Sequence, residues 1–246
     1  MSDTGPIVSA RPTTSAHSRF ESYDEAVAAH EWHVPARYNI AQDVCDKHPP
    51  DKLAMVWEDF RGNERQVRWG ELQEASNRLA SVLRQHGVEI GDRVAMLLTP
   101  RPETAVAFLG TFKAGAILLS LSVLYGDDGI RHRVTDAQAR VILTNAESAE
   151  RVRDLELPVE HVLVLDDGLI ATGDPGFERV DTSADDPAQL YYTSGTTGLA
   201  KGILHAHRYL LGHNEFQLCH DVRDGERFHG MGEWAWAAGI APLLGP

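Results

Sequence analysis

The stretch YYTSGTTGLAKG, Tyr191 to Gly202, decides how this chain of 246 residues is read. It sets glycines at 195, 198 and 202, the hydroxyl residues Thr193, Ser194, Thr196 and Thr197, and the lysine Lys201 behind a short apolar strand pattern, QLYYT at 189–193. Glycines let backbone N–H groups approach an anion closely, hydroxyls add small donors, and lysine adds a full positive charge. That chemistry suits a polyphosphate. The P-loop pattern of nucleotide triphosphatases does not fit. Counted from Gly195, Ala200 stands where the second glycine belongs, and Gly202 replaces the magnesium-binding Ser or Thr. The dinucleotide fingerprint G-x-G-x-x-G is missing from this stretch too.

Outward from the loop, strand and helix patterns alternate. Upstream, apolar residues at 72, 75, 79, 82 and 83 predict a helix from Glu71 to His86 that Gly87 would end. RVAMLL (93–98) reads as a strand, Pro102 opens a helix that stops at Gly115, and AILLSL (116–121) is the next strand. DDGIRHRVTDA predicts a helix beginning at Asp127, and RVILT (140–144) and HVLVL (161–165) predict strands around a helix at 147–155. HAHRYLLGHNEFQLCH (205–220) predicts a helix after the loop. Alternation of this kind predicts an α/β architecture of layered, mostly parallel sheets flanked by helices. Its crossovers are right-handed, and its ligands sit at the carboxyl ends of strands. No internal repeat is present.

The formal net charge of −13 argues against nucleic acid or an anionic membrane as the main partner. An acidic chain that takes a polyphosphate must concentrate positive charge locally, and Lys201 with the loop amides is the evident place. Cys45 and Cys219 give no disulfide framework and point to a reducing, cytoplasmic compartment. The Ser-, Thr- and Pro-rich start lacks the apolar core of a secretory signal, so residues 1–30 read as a flexible tail. The longest apolar runs, AILLSLSVL (116–124) and WAWAAGIAPLLGP (234–246), fall short of the ~20 residues of a membrane helix.

Tyr192 to Gly202 resembles the signature phosphate-binding motif of the adenylate-forming superfamily, [YF]-T-S-G-[ST]-T-G-x-P-K-G, with Ala200 where that family has proline. Losing the proline frees the backbone before Lys201 and raises its ordering cost by ~0.4–1 kcal/mol. EWHVPARYNIAQDVCDKH, VRWGELQEASNRLASVLRQHGVEIGDRVAML and FKAGAILLSLSVLYGDDGIRHRVTDAQARVILT resemble the successive N-terminal blocks of acyl-CoA synthetases, nearest the acetyl- and medium-chain branch. The resemblance covers residues 31–246 and implies the N-terminal portion of an adenylation domain.

It also implies a reaction: a carboxylic acid, ATP and Mg2+ give acyl-AMP, and CoA then takes the acyl group. Thr193, Ser194, Gly195, Thr196, Thr197, Gly198 and Lys201 would bind the phosphates, with Lys201 catalytic. In that family the magnesium glutamate, the ribose aspartate, the hinge and the C-terminal subdomain with its lysine all follow this region. The chain therefore reads as truncated and inactive alone, and a separate chain carrying the remaining part is a candidate partner. A rival reading is a noncatalytic half-domain that binds nucleotide or a partner chain.

Thr172-Gly173-Asp174 spells the family's ribose motif but lies before the phosphate loop, inside an acidic segment (166–186) that reads as a solvated loop. His205 and His207 form H-x-H, which on a helix does not share a face, so no metal site is expected. The resemblance makes His207 an acyl-pocket candidate. GEWAW resembles the acidic-x-x-Trp element that walls the acyl pocket in medium-chain synthetases, with Glu233 in place of the usual aspartate. It adds Glu233, Trp234 and Trp236 as candidates, against the alternative of two tryptophans filling a core.

Overall fold

The computed structural model of the chain describes residues 20–193, 198–213, 222, 225–230 and 232–244. Its centre is a six-stranded sheet in which β3 (Arg93–Leu97), β4 (Ile117–Leu121), β5 (Val141–Thr144), β6 (His161–Val164) and β7 (Pro187–Thr193) run parallel. The last strand, β8 (Lys201–Ala206), turns back antiparallel to β7, and the spatial order is β6-β5-β3-β4-β7-β8. A separate antiparallel hairpin pairs β1 (Leu53–Glu58) with β2 (Glu64–Arg68).

The strands are near-continuous apolar runs because both faces of a parallel sheet are covered. β5 is buried at every position, and β3 and β4 at all but one each. On one face Val94, Met96, Leu118 and Leu143 pack against α2 (Trp69–Gln85) and α3 (Pro102–Lys113). On the other, Ala95, Leu97, Leu119 and Ile142 meet α4 (Asp127–Asp136) and α5 (Ala149–Asp154). Proline opens α3, where its missing N–H costs nothing. Phe108 and Phe112, one turn apart on α3, are fully buried, each worth roughly 1.5–3 kcal/mol of transfer free energy.

The predicted α/β layering is therefore present, with three differences. The β1–β2 hairpin was not anticipated, because most of its residues are exposed and carry no alternating apolar signal. The acidic segment contains a short helix, α6 (Asp167–Ala171), capped by the Asp166 carboxylate accepting from the Leu169 N–H. Its carboxylates are exposed except Asp186, which is half-buried and accepts from the Ser183 N–H, and Ile170 and Thr182 are buried beneath them. A Cβ on Gly173 would lie 2.0 Å from the Arg78 carbonyl oxygen, so this glycine of the ribose-like triplet allows the segment to sit against α2.

The third difference falls at the loop. The helix expected over 205–220 does not begin there: Lys201–Ala206 is strand β8, and His207–Gly212 is a turn of 3₁₀-helix. Pairing with β7 decides this, since Gln189↔His205, Leu190↔Leu204 and Tyr192↔Gly202 are in register. Residues 214–220 of that expected helix, which include Cys219, lie outside the described residues. In the segment expected to be a tail, Tyr23–Ala29 forms a helix, α1, that buries none of its residues.

Candidate active site

The carboxyl edge of the sheet carries the candidate residues. β7 ends at Thr193, and β8 starts at Lys201 directly opposite it in the antiparallel register. Both side chains are exposed, and Lys201 makes no ion pair among the described residues. Ser194, Gly195, Thr196 and Thr197 lie outside the described residues. Gly202 is the position of closest approach, since a Cβ there would come 3.1 Å from Leu190 and 3.2 Å from the Tyr192 ring.

Helix α4 packs beneath this hairpin. Tyr192 donates its hydroxyl to Asp136 Oδ2 at 2.6 Å, and His132 Nε2 lies 2.7 Å from the Ala200 carbonyl oxygen. The Arg133 guanidinium sits over Tyr125 at 4.0 Å and Tyr192 at 5.6 Å from the ring centroids, within cation–π range. Burial, and then the neighbouring Asp136 carboxylate, push the Tyr192 hydroxyl pKa upward, so Tyr192 stays a donor.

The acyl-pocket candidates divide. Glu233 reaches the end of β4, accepting from Ser122 Oγ at 2.5 Å and from the Val123 N–H at 2.9 Å. The Trp234 carbonyl accepts from Ser120 Oγ at 3.1 Å, and the Trp234 ring meets Phe108 edge-on at 6.4 Å. Trp236, 46% exposed, meets Tyr125 edge-on at 5.9 Å. β4 and β7 pair at Leu118↔Gln189 and Leu119↔Leu190, and the same register carried three residues further sets Ser122 level with Thr193. Glu233 and the loop root thus occupy neighbouring strand ends, while helix α7 (Ala237–Leu244) follows the tryptophans.

His207 lies elsewhere. It is 0% exposed, packed edge-on against Phe112 at 6.0 Å, and its Nδ1 accepts from the Ile40 N–H at 3.3 Å. With Nδ1 accepting, the proton sits on Nε2, which is buried and finds no partner among the described residues. Burial pushes its pKa down to about 4, against an opposing pull from Asp186. His205, at the end of β8, stacks edge-on with Tyr191 at 5.4 Å and does not converge on His207. Among the described residues no three His, Cys, Asp or Glu side chains gather as a metal-binding group.

His132, Arg133, Asp136, Tyr125 and Ser122 join the site without a motif to mark them. The signal was partly there. His132 and Asp136 are four apart on a predicted helix and so share a face. The helix pattern alone did not say which strand that face would meet.

The chain belongs to the AMP-binding enzyme family, which it matches over residues 41–246. It is 31% identical over 270 aligned residues to the acetyl-coenzyme A synthetase of Penicillium chrysogenum, covering 94% of this chain and 40% of that protein. With the acetyl-coenzyme A synthetase of Bacillus subtilis the identity is 32% over 229 residues, covering 82% and 40%. The chain thus spans about 40% of the length of these relatives. In fold it resembles an acyl-CoA synthetase of Brucella canis, with a TM-score of 0.81, 23% identity, and 92% of this chain against 47% of that one. It also resembles the anthranilate CoA ligase AuaEII solved with anthranoyl-AMP, with a TM-score of 0.64, 26% identity, and 71% against 36%. The layered α/β fold is that of the N-terminal part of such enzymes.

Proposed function

We propose that this chain is the nucleotide-gripping part of an acid-activating ligase. In this reading the hairpin β7–β8 takes the β- and γ-phosphates of ATP while a carboxylate attacks the α-phosphorus. Acyl-AMP and pyrophosphate result, and the thiol of CoA then displaces AMP. The observation that carries the proposal is Lys201, exposed and without an ion-pair partner among the described residues, opening β8 across from Thr193 at the carboxyl edge. Thr193, Ser194, Thr196 and Thr197 would add hydroxyl donors, Gly195 and Gly198 backbone N–H groups, and Lys201 the charge that stabilises the departing pyrophosphate.

Trp236 and Trp234 are the proposed wall of the acyl pocket, with Glu233 as its anchor. His207, enclosed by Ile40 and Phe112, has no route to a substrate among the described residues and serves the core in this reading. Magnesium would arrive on the nucleotide. Asp136 is held by Tyr192 and Glu233 by Ser122 and Val123, and among the described residues no three His, Cys, Asp or Glu side chains gather to hold it. A buried free thiol at Cys45 supports a reducing, cytoplasmic setting, and the acyl-CoA product would feed fatty-acid or acetyl-group metabolism.

The test is ATP binding and turnover by the purified chain with magnesium, CoA and a panel of short, medium and aromatic acids. The expected result is nucleotide binding that Lys201→Ala weakens roughly ten- to a hundred-fold, the worth of one charged hydrogen bond, and no thioester without a second polypeptide. A chain that binds ATP equally well with and without Lys201 sinks the site. The rival is a noncatalytic half-domain that binds nucleotide or a partner chain. It predicts nucleotide or partner binding with no turnover even when the relatives' remaining segments are supplied as a separate chain.

A further inference from the structure

On α4, His132 and Asp136 stand one helical turn apart and share a face. Asp136 holds Tyr192, the residue before Thr193, at 2.6 Å, and His132 holds the carbonyl of Ala200, the residue before Lys201, at 2.7 Å. One helix face therefore grips both sides of the hairpin root where Thr193 and Lys201 face each other. Arg133 fills the space between, over the rings of Tyr125 and Tyr192, and its NH1 is tied back to the Gly129 carbonyl at 2.8 Å. The His132 ring also meets the Tyr192 ring edge-on at 6.1 Å.

The grip falls where the chain most needs it. Ala200 lacks the ring that would fix φ, so the backbone leading into Lys201 is held from outside by a hydrogen bond to its carbonyl. A carbonyl is an acceptor, so His132 must present an N–H at Nε2.

We propose that His132 and Asp136 are positioning residues for Lys201, a two-point clamp from α4 that sets the ammonium for a polyphosphate. The proposal rests on the reading of Lys201 as a phosphate ligand, and its two readouts separate the clamp from that reading.

The first readout needs no ligand. Amide hydrogen exchange of the full chain is compared for wild type, Tyr192→Phe, His132→Ala and His132→Gln. The clamp predicts at least ten-fold faster exchange at Thr193 and Lys201–Ile203 in Tyr192→Phe and His132→Ala. Protection in β3 and β5 stays unchanged, and His132→Gln, whose amide can still donate to the Ala200 carbonyl, recovers. Unchanged exchange at those residues in both Tyr192→Phe and His132→Ala overturns the clamp. Tyr192→Phe removes only a hydroxyl, so it decides the matter even if His132→Ala fails to fold.

The second readout is the affinity for inorganic tripolyphosphate in a double-mutant cycle. Acting through Lys201, His132→Ala weakens binding five- to ten-fold in the wild-type background and by less than two-fold beside Lys201→Ala. Equal losses in both backgrounds overturn the link to Lys201. If the unsubstituted chain binds neither tripolyphosphate nor ATP, the phosphate reading of the site fails, while the exchange data still decide the clamp.

Discussion

Glu233 Oε2 accepts the hydroxyl of Ser122 at 2.5 Å, a bond between residues 111 apart in the chain. With the Val123 N–H on Oε1 and Ser120 Oγ on the Trp234 carbonyl, it fastens the segment that carries both tryptophans to the end of β4. A carboxylate spent in this way is an anchor first. Alanine at 233 leaves the Val123 N–H and the buried Ser122 hydroxyl without their acceptor.

Glu233→Ala should therefore lower stability in urea by about 3 kcal/mol, the low end of the ~3–6 kcal/mol that two hydrogen bonds to a charged group are worth, because Glu233 is half-buried and water can reach the groups left behind. Glu233→Gln keeps one acceptor oxygen and should lose about half as much. A Glu233→Ala protein as stable as wild type would mean that the anchor is formed by other contacts.

Lys113 gives a second prediction. Its ammonium is enclosed, 2.7 Å from Asp46 Oδ1, 2.7 Å from Asn77 Oδ1 and 3.2 Å from the Gln73 carbonyl, so all three donors are used. It pins α3 to α2 and to the π-helical turn Gln42–Asp46. Lys113→Met strands partners that were desolvated for it, and breaking such a pair costs ~3–5 kcal/mol when fully buried. The half-buried Asp46 can take water, which puts the expected loss in chemical denaturation near the low end. Adding Asp46→Asn should recover part of it.

The buried His207 sets a pH dependence. Its pKa is pushed down from an ordinary 6.5 to about 4 in the folded protein, chiefly by burial, so the native state holds the neutral ring. The unfolded chain binds the proton at higher pH than the folded one. Stability from this residue is complete above about 6.5 and is lost progressively as pH falls to about 4, with a slope of up to ~1.4 kcal/mol per pH unit and a total on the order of 3 kcal/mol. Urea midpoints measured at pH 7, 6, 5 and 4.5 should fall less steeply for His207→Gln than for wild type. Parallel profiles for the two proteins would show that His207 titrates normally.

The legibility of these features in the sequence follows from how local their physics is. Strands β3, β4 and β5 announce themselves because burial on both faces demands unbroken apolar runs. The motif at Thr193 to Lys201 was equally plain, since glycine, hydroxyl and lysine are read residue by residue. Strand β8 was missed because Ile203 and Leu204 are consecutive apolar residues that are both exposed on an edge, so no alternation marks them. Its pairing with Tyr191 and Leu190 is a fact about β7 and not about KGILHA itself. Glu233 was legible as a residue of interest, but its bond to Ser122 joins distant parts of the chain, and no local pattern encodes that distance.

Trp234 and Trp236, two residues apart, should behave as opposites when cut back. Trp234 packs edge-on with Phe108 against the core, whereas Trp236 is 46% exposed and touches Tyr125 beside the loop root. Trp234→Gly removes a partly buried indole packed on the core and should destabilise the chain by about 3 kcal/mol, the low end of the ~3–5 kcal/mol of buried tryptophan truncations. Trp236→Gly removes a half-exposed indole and one aromatic pair, the pair worth ~0.5–1.5 kcal/mol beyond its buried area, and should cost less than Trp234→Gly. If Trp236 walls the acyl pocket, the space its indole leaves is open to additional methylenes, each worth ~0.8 kcal/mol on burial. Carboxylate-dependent pyrophosphate exchange, with the chain joined to its relatives' remaining segments, should then show Trp236→Gly shifting preference toward longer acids by roughly four-fold per methylene. Melting curves of the two variants supply the control, because a preference shift with a near-normal melting temperature belongs to the pocket. A loss of kcat/KM that is uniform across acid lengths would return Trp236 to ordinary packing.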